Sequence, residues 1–160
     1  MTYQSREILK VGDEKLYIMD GRYPLEHYFS DGRSVAEHWN LTSLSTAENR
    51  GYDATWAVRD GALYLVDIFT YRIVVKGFWF WRKTSYPELV VADLFPDAIN
   101  GEVKASWFNG SFSAFTKSAR NPIDDRLFVK FEKGELVTHQ WFHLEENNRL
   151  NGTPYDKPLP

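Results

Sequence analysis

Tyr52-Asp53-Ala54-Thr55-Trp56-Ala57-Val58-Arg59-Asp60-Gly61-Ala62-Leu63-Tyr64-Leu65-Val66-Asp67-Ile68 is the stretch on which the fold turns. Two strand-like runs flank an Asp-Gly pair, the dipeptide favoured in two-residue type I′ turns because both central positions need positive φ. Such a turn sets the register: Arg59 opposite Ala62, Val58 opposite Leu63, Trp56 opposite Leu65. Alternation then gathers Trp56, Val58, Leu63 and Leu65 on one apolar face, with Thr55, Ala57 and Tyr64 on the other. Trp56 is expected in the core.

Outward from this hairpin the pattern repeats. Asn109-Gly110 predicts a second turn, with Trp107 facing Phe112 and Ala105 facing Ala114. Lys133-Gly134 predicts a third, aligning Phe131 with Leu136 and Val129 with Thr138. Its two-residue form also opposes Glu132 and Glu135, an unfavourable like-charge pair that a three-residue loop would relieve. Gly12-Asp13 predicts a fourth ribbon, joining 7–11 to 15–19. Tyr71–Val75 and Phe78–Trp81 read as strands, rich in β-branched and aromatic residues. Short helices are expected within Leu25–Phe29, Ser34–Trp39 and Tyr86–Phe95, and loops over 41–50 and 117–125. Successive antiparallel hairpins with few helices predict a mostly-β domain, a sandwich or a partly closed barrel, spanning 1–146. The stretch 147–160 reads as an extended tail.

Composition narrows the function classes. A chain of 160 residues can bury one core without staples. With no cysteine, a disulfide scaffold, thiolate catalysis and a cysteine zinc site are excluded. Nineteen basic against 22 acidic residues leave a net charge of −3, a poor match for a nucleic-acid binder. No apolar run approaches the roughly 20 residues of a spanning helix, and the N-terminus has no apolar leader-like stretch. The expectation is a cytoplasmic protein with no membrane association. Asn40, Asn109 and Asn151 begin Asn-x-Ser/Thr triplets and read as turn chemistry.

The wording Arg50-Gly51-Tyr52-Asp53-Ala54-Thr55-Trp56, Asp60-Gly61 and Leu63-Tyr64-Leu65 resembles a group of uncharacterised bacterial proteins. Leu94-Phe95-Pro96, Ala105-Ser106-Trp107-Phe108-Asn109-Gly110 and Phe131-Glu132-Lys133-Gly134-Glu135-Leu136-Val137 extend the likeness over 49–137. Ala57 departs from it, standing where a charged residue is usual. The resemblance implies a bacterial, hairpin-rich, single-domain protein and carries no chemistry.

Catalytic signals are thin, and the reading leans away from an enzyme and from any cofactor. His139 and His143 have i, i+4 spacing, but on a strand that separates them by about 13 Å, too far to share an ion. Asp124-Asp125 and Glu145-Glu146 are adjacent, point to opposite faces and read as solvated loop charges. Asp53, Asp67, Asp93 and His143 form a set that only tertiary structure could bring together. Phe78-Trp79-Phe80-Trp81 is the richest residual. Covered on both faces it is a central strand, the favoured reading. Open on one face, Trp79 and Trp81 with Lys76, Arg82 and Lys83 make a partner- or ligand-contact surface. The functional expectation is a non-catalytic interaction protein with a protein partner, toxin-neutralising (immunity-type) in one version. The alternative is a β protein closing around a small apolar or aromatic ligand, with Trp56, Trp79, Trp81 or Trp107 at the wall.

Overall fold

Asp60 and Gly61 both take positive φ, 50° and 72°. The strands they join, β4 (Tyr52–Arg59) and β5 (Ala62–Arg72), run in the expected register, with Arg59 opposite Ala62, Val58 opposite Leu63 and Trp56 opposite Leu65. The next pair is Thr55 with Asp67, so Val66 is an extra residue on β5. This bulge shifts the inward phase from Leu63 and Leu65 to Ile68 and Thr70, all buried. The structure, a computed structural model, describes residues 7–20, 23–43, 50–116, 124–145 and 148–160.

Seven strands close into a barrel. The Gly12 turn joins β1 (Ile8–Val11) to β2 (Glu14–Asp20) as the expected fourth ribbon, with Ile8 opposite Tyr17 and Glu14 already paired with Val11. Beyond β2 follow β10 (Gly110–Thr116), β11 (Asp124–Glu132) and β12 (Glu135–Glu145), each antiparallel to the last. On the other side β1 pairs parallel with β4. A closed ring needs an even number of antiparallel contacts, so an odd-stranded barrel must contain a parallel pair; β1–β4 supplies it. Closure is narrow: Glu135 of β12 lies opposite Ala62 of β5, with Leu136 N–H donating to Gly61 O and Leu63 N–H to Gly134 O. The interior is filled by Leu9, Leu16, Ile18, Trp56, Leu127 and Trp141 among others, each essentially inaccessible.

Lys133 and Gly134 both take positive φ, so this turn keeps its two-residue form and does oppose Glu132 and Glu135. Lys104 relieves the clash by ion-pairing with Glu135. Phe131 faces Leu136 as expected, but a bulge then sets Val129 opposite His139 rather than Thr138. A Cβ on Gly134 (φ 77°) would lie 2.6 Å from Ala105 O, whereas one on Gly61 would meet nothing within 4 Å. Gly61→Ala should therefore cost only the left-handed backbone penalty, about 1 kcal/mol. Gly134→Ala should cost roughly 3 kcal/mol, because backbone must also move. Denaturant unfolding of both variants checks this; equal losses would mean that the Ala105 contact is not there.

Asn109-Gly110 is not a hairpin turn. Neither residue has positive φ, and β10 already has β2 on one edge and β11 on the other, leaving no place for 103–107. That segment runs to β5 instead, where β9 (Val103–Lys104) pairs with Leu65 and Tyr64. Asn109 turns its carbonyl to accept Lys133 N–H at 2.8 Å.

The short helical segments fall where expected: a 3₁₀ turn at Pro24–His27, α1 (Val35–Trp39) and α2 (Val91–Leu94). A Ser34/Glu37 capping box starts α1, and Asp93 accepts Val90 N–H before α2. Asn40, left-handed at φ 55°, ends α1. The loop expectations hold less well. Leu41–Thr42 form β3 against Tyr71 and Arg72, and Asp124 and Asp125 open β11; 44–49 and 117–123 lie outside the described residues. The stretch read as an extended tail is extended, and most of it is a strand. Asn148–Tyr155 form β13 on the free edge of β12, because that edge meets β5 only at Glu135. Only 156–160 runs on without strand pairing, tied down by a Lys157–Glu14 ion pair and by Leu159 against the core.

Candidate functional site

Lys76, Trp79, Trp81, Arg82 and Lys83 all sit on one hairpin. After β5 the chain forms β6 (Val74–Lys76), a 3₁₀ turn at Trp79–Trp81, and β7 (Lys83–Ser85). Among the described residues this two-stranded sheet pairs with no other strand. Its base is clamped: Ile73 N–H donates to Asn40 O, Asn40 Nδ2 donates to Ile73 O at 2.6 Å, and Arg72 N–H donates to Pro87 O. Just beyond, β8 (Glu88–Leu89) returns to pair with Tyr71 and Thr70.

The favoured reading of Phe78–Trp81 as a central strand is wrong. Gly77, at φ 95°, admits no Cβ: one would lie 2.4 Å from Trp81 O. Trp79 is itself left-handed, at φ 57°, a strained conformation for a bulky residue. These two residues break alternation and fold the run into a tip. There Phe78 is 70%, Trp79 81%, Phe80 88% and Trp81 63% exposed. Lys76 and Lys83 stand directly opposite one another across the ladder, a destabilising like-charge pair. From Val74 to Pro87 the chain has three cations and no carboxylate. Among the described residues, Lys76, Arg82 and Lys83 make no ion pair.

A second polar cluster, which sequence reading missed, is sealed inside. Glu7 precedes β1 in phase with Leu9 and Val11, and is completely buried. Trp56 Nε1 donates to its Oε2 at 2.7 Å, while Oε1 has no hydrogen-bond partner among the described residues. Arg50 Nε lies 3.8 Å from that oxygen, and the guanidinium also covers the Tyr23 ring at 4.2 Å. Burial raises the Glu7 pKa to about 8, outweighing the opposing pull of the Trp56 hydrogen bond and of Arg50. The carboxyl is mostly protonated at neutral pH. Beside it Tyr52 donates to Glu26 at 2.7 Å, and burial together with Glu7 and Glu26 raises its phenol pKa.

Other candidates resolve into local structure. Asp125 is not a solvated loop charge: it accepts from Tyr155 Oη at 3.0 Å and pairs with His143 Nδ1 at 2.9 Å. Burial, then this hydrogen bond, raises the Tyr155 pKa. His139 Nε2 contacts Lys157 O instead. Asp53, Asp67, Asp93 and His143 do not converge, since Asp67 accepts Ile68 N–H, Asp93 caps α2 and His143 meets Asp125. Trp56 is core, and Trp107 is stacked on Phe95 with its N–H donating to Pro24 O at 3.0 Å. An open groove of about 740 Å³ beside Trp107 also borders Tyr28, Tyr64 and Phe95; Arg59 and Glu102 on its wall are paired with each other. No helix among the described residues is long and apolar enough to cross a membrane. No family model, curated protein or solved structure matches the chain.

Proposed function

We propose that this is a non-catalytic interaction protein which engages a macromolecular partner through the β6–β7 hairpin. One observation carries the reading: four consecutive aromatic side chains stand at the tip of a clamped arm, each more than 60% exposed. Exposed apolar patches of that kind are kept for contact, because water disfavours them. The strained Trp79 backbone adds support, since strain persists where a conformation serves a purpose. Glu7, the buried carboxyl, is inaccessible to solvent.

The test uses Trp79→Asn/Trp81→Ser, in which Asn tolerates the left-handed backbone while the rings are lost. Immobilised parent and variant are exposed to total host lysate with its membranes retained. The parent should hold a protein or membrane component that the variant loses, at unchanged unfolding midpoint. Identical retained sets would overturn the reading.

A further inference from the structure

We propose, resting on that reading, that the surface met by the hairpin is an anionic phospholipid interface, which the tip enters while the barrel stays outside. The residue set fits the two layers of such an interface. Phe78, Trp79, Phe80 and Trp81 are apolar or amphipathic rings suited to the headgroup–acyl boundary, and Lys76, Arg82 and Lys83 lie one to three positions behind them. Tyr86 and Val75, both about half exposed, widen the shoulder just below. Each arm has three residues, roughly 10 Å of strand, comparable to the 5–10 Å depth at which interfacial segments settle. The arm can immerse its tip without desolvating the barrel.

Charge favours this occupant over others. The Lys76–Lys83 pair opposes two cations with no carboxylate between Val74 and Pro87, in a chain whose net charge is −3. A layer of phosphates neutralises that repulsion from every side. A protein partner of ordinary strength buries about 800 Å² on each side, inside a rim of neighbouring contacts. Among the described residues the hairpin has no flanking strand to build such a rim: β6 and β7 pair with each other. It is a convex point, suited to a fluid surface that closes around it. No spanning helix is needed, because the attachment is peripheral.

The experiment is flotation of the full chain with extruded vesicles of phosphatidylcholine alone, or of phosphatidylcholine mixed with phosphatidylserine. Each Lys or Arg near an anionic surface contributes about fivefold, so three predict roughly a hundredfold preference for the anionic vesicles. That preference should collapse near 1 M salt, where the screening length falls to about 3 Å. Lys76→Glu/Arg82→Glu/Lys83→Glu should abolish it. Trp79→Asn/Trp81→Ser should float at least tenfold less, and Phe80→Ser, which leaves the Trp79 backbone untouched, should lose several-fold. Binding to neither vesicle, or equally to both, overturns the lipid assignment. If vesicles are ignored while the lysate yields a protein that depends on Trp79 and Trp81, the lipid assignment falls and the interaction reading stands. If neither is retained, both fall.

Discussion

Trp56→Ala lowers the unfolding free energy by about 3–5 kcal/mol, the usual range for deleting a buried large aromatic side chain. The indole is wholly inaccessible, packs edge-on to Trp107 and holds Glu7 through its N–H. Truncation therefore removes packing and also leaves the buried carboxyl without its donor. Trp56→Phe separates the two effects. It keeps most of the volume and should cost about 1–3 kcal/mol, chiefly for the carboxyl left unsatisfied. Urea unfolding of parent and both variants provides the comparison. A loss below ~1 kcal/mol for Trp56→Ala is less than single buried methylenes often cost, and would place the ring outside the core.

Glu7→Gln should make the protein progressively more stable than the parent as pH rises from about 5 to about 8. In the folded parent the carboxyl titrates near 8, against 4.5 for an ordinary glutamate. Below 4.5 both states hold the proton and its contribution is complete. Between these values the unfolded chain releases the proton while the folded one keeps it, so stability falls by about 1.4 kcal/mol per pH unit. Above 8 the loss levels off, on the order of 5 kcal/mol. The groups facing Glu7 do not reverse the sign: burial, with Asp53 and Glu26, opposes ionisation and outweighs the Trp56 hydrogen bond and Arg50, which favour it. Glutamine retains an oxygen for the Trp56 N–H and has no such titration. Parallel unfolding curves at about pH 5, 7 and 9 would show the gap widening; a constant gap would mean that Glu7 ionises normally.

The hairpin at Asp60-Gly61 was legible as far as Trp56 and Leu65, because a two-residue turn leaves one register and alternation then decides which side chains are inside; the bulge at Val66 beyond them had no signal. Lys133-Gly134 was legible in its first pairs and lost at the β12 bulge, which has no composition signal. Asn109-Gly110 carried the same signal and misled. Turn chemistry is local, and whether β10 has a free edge depends on β2 and β11 arriving from elsewhere. The β1–β4 parallel pair was out of reach for the same reason, since no turn joins those strands. At the candidate site, Trp79, Trp81 and the basic flanks were picked out by their chemistry. Their exposure was the alternative rather than the favoured reading, since it follows from the backbone at Gly77 and Trp79 and not from the aromatic alternation. The Glu7–Trp56 contact joins positions 49 residues apart; Glu7 stood in the predicted strand 7–11 in phase with Leu9 and Val11, but a carboxylate is ordinarily kept at the surface.

The seam between β5 and β12 has a consequence for the order in which the molecule assembles. Both sides of the seam are turn-proximal: Gly61 and Leu63 on one hairpin, Gly134 and Leu136 on the other, exchanging two hydrogen bonds of 2.7 and 2.9 Å. Each hairpin can form from its own neighbours within microseconds, but the ring cannot shut until both turns exist and the intervening strands have brought them together. Closure is thus the latest and least redundant event. Such a junction should reopen without global unfolding, so in hydrogen exchange the Leu63 and Leu136 amides should exchange with solvent sooner than those in the centre of β11, whose neighbours flank it on both sides.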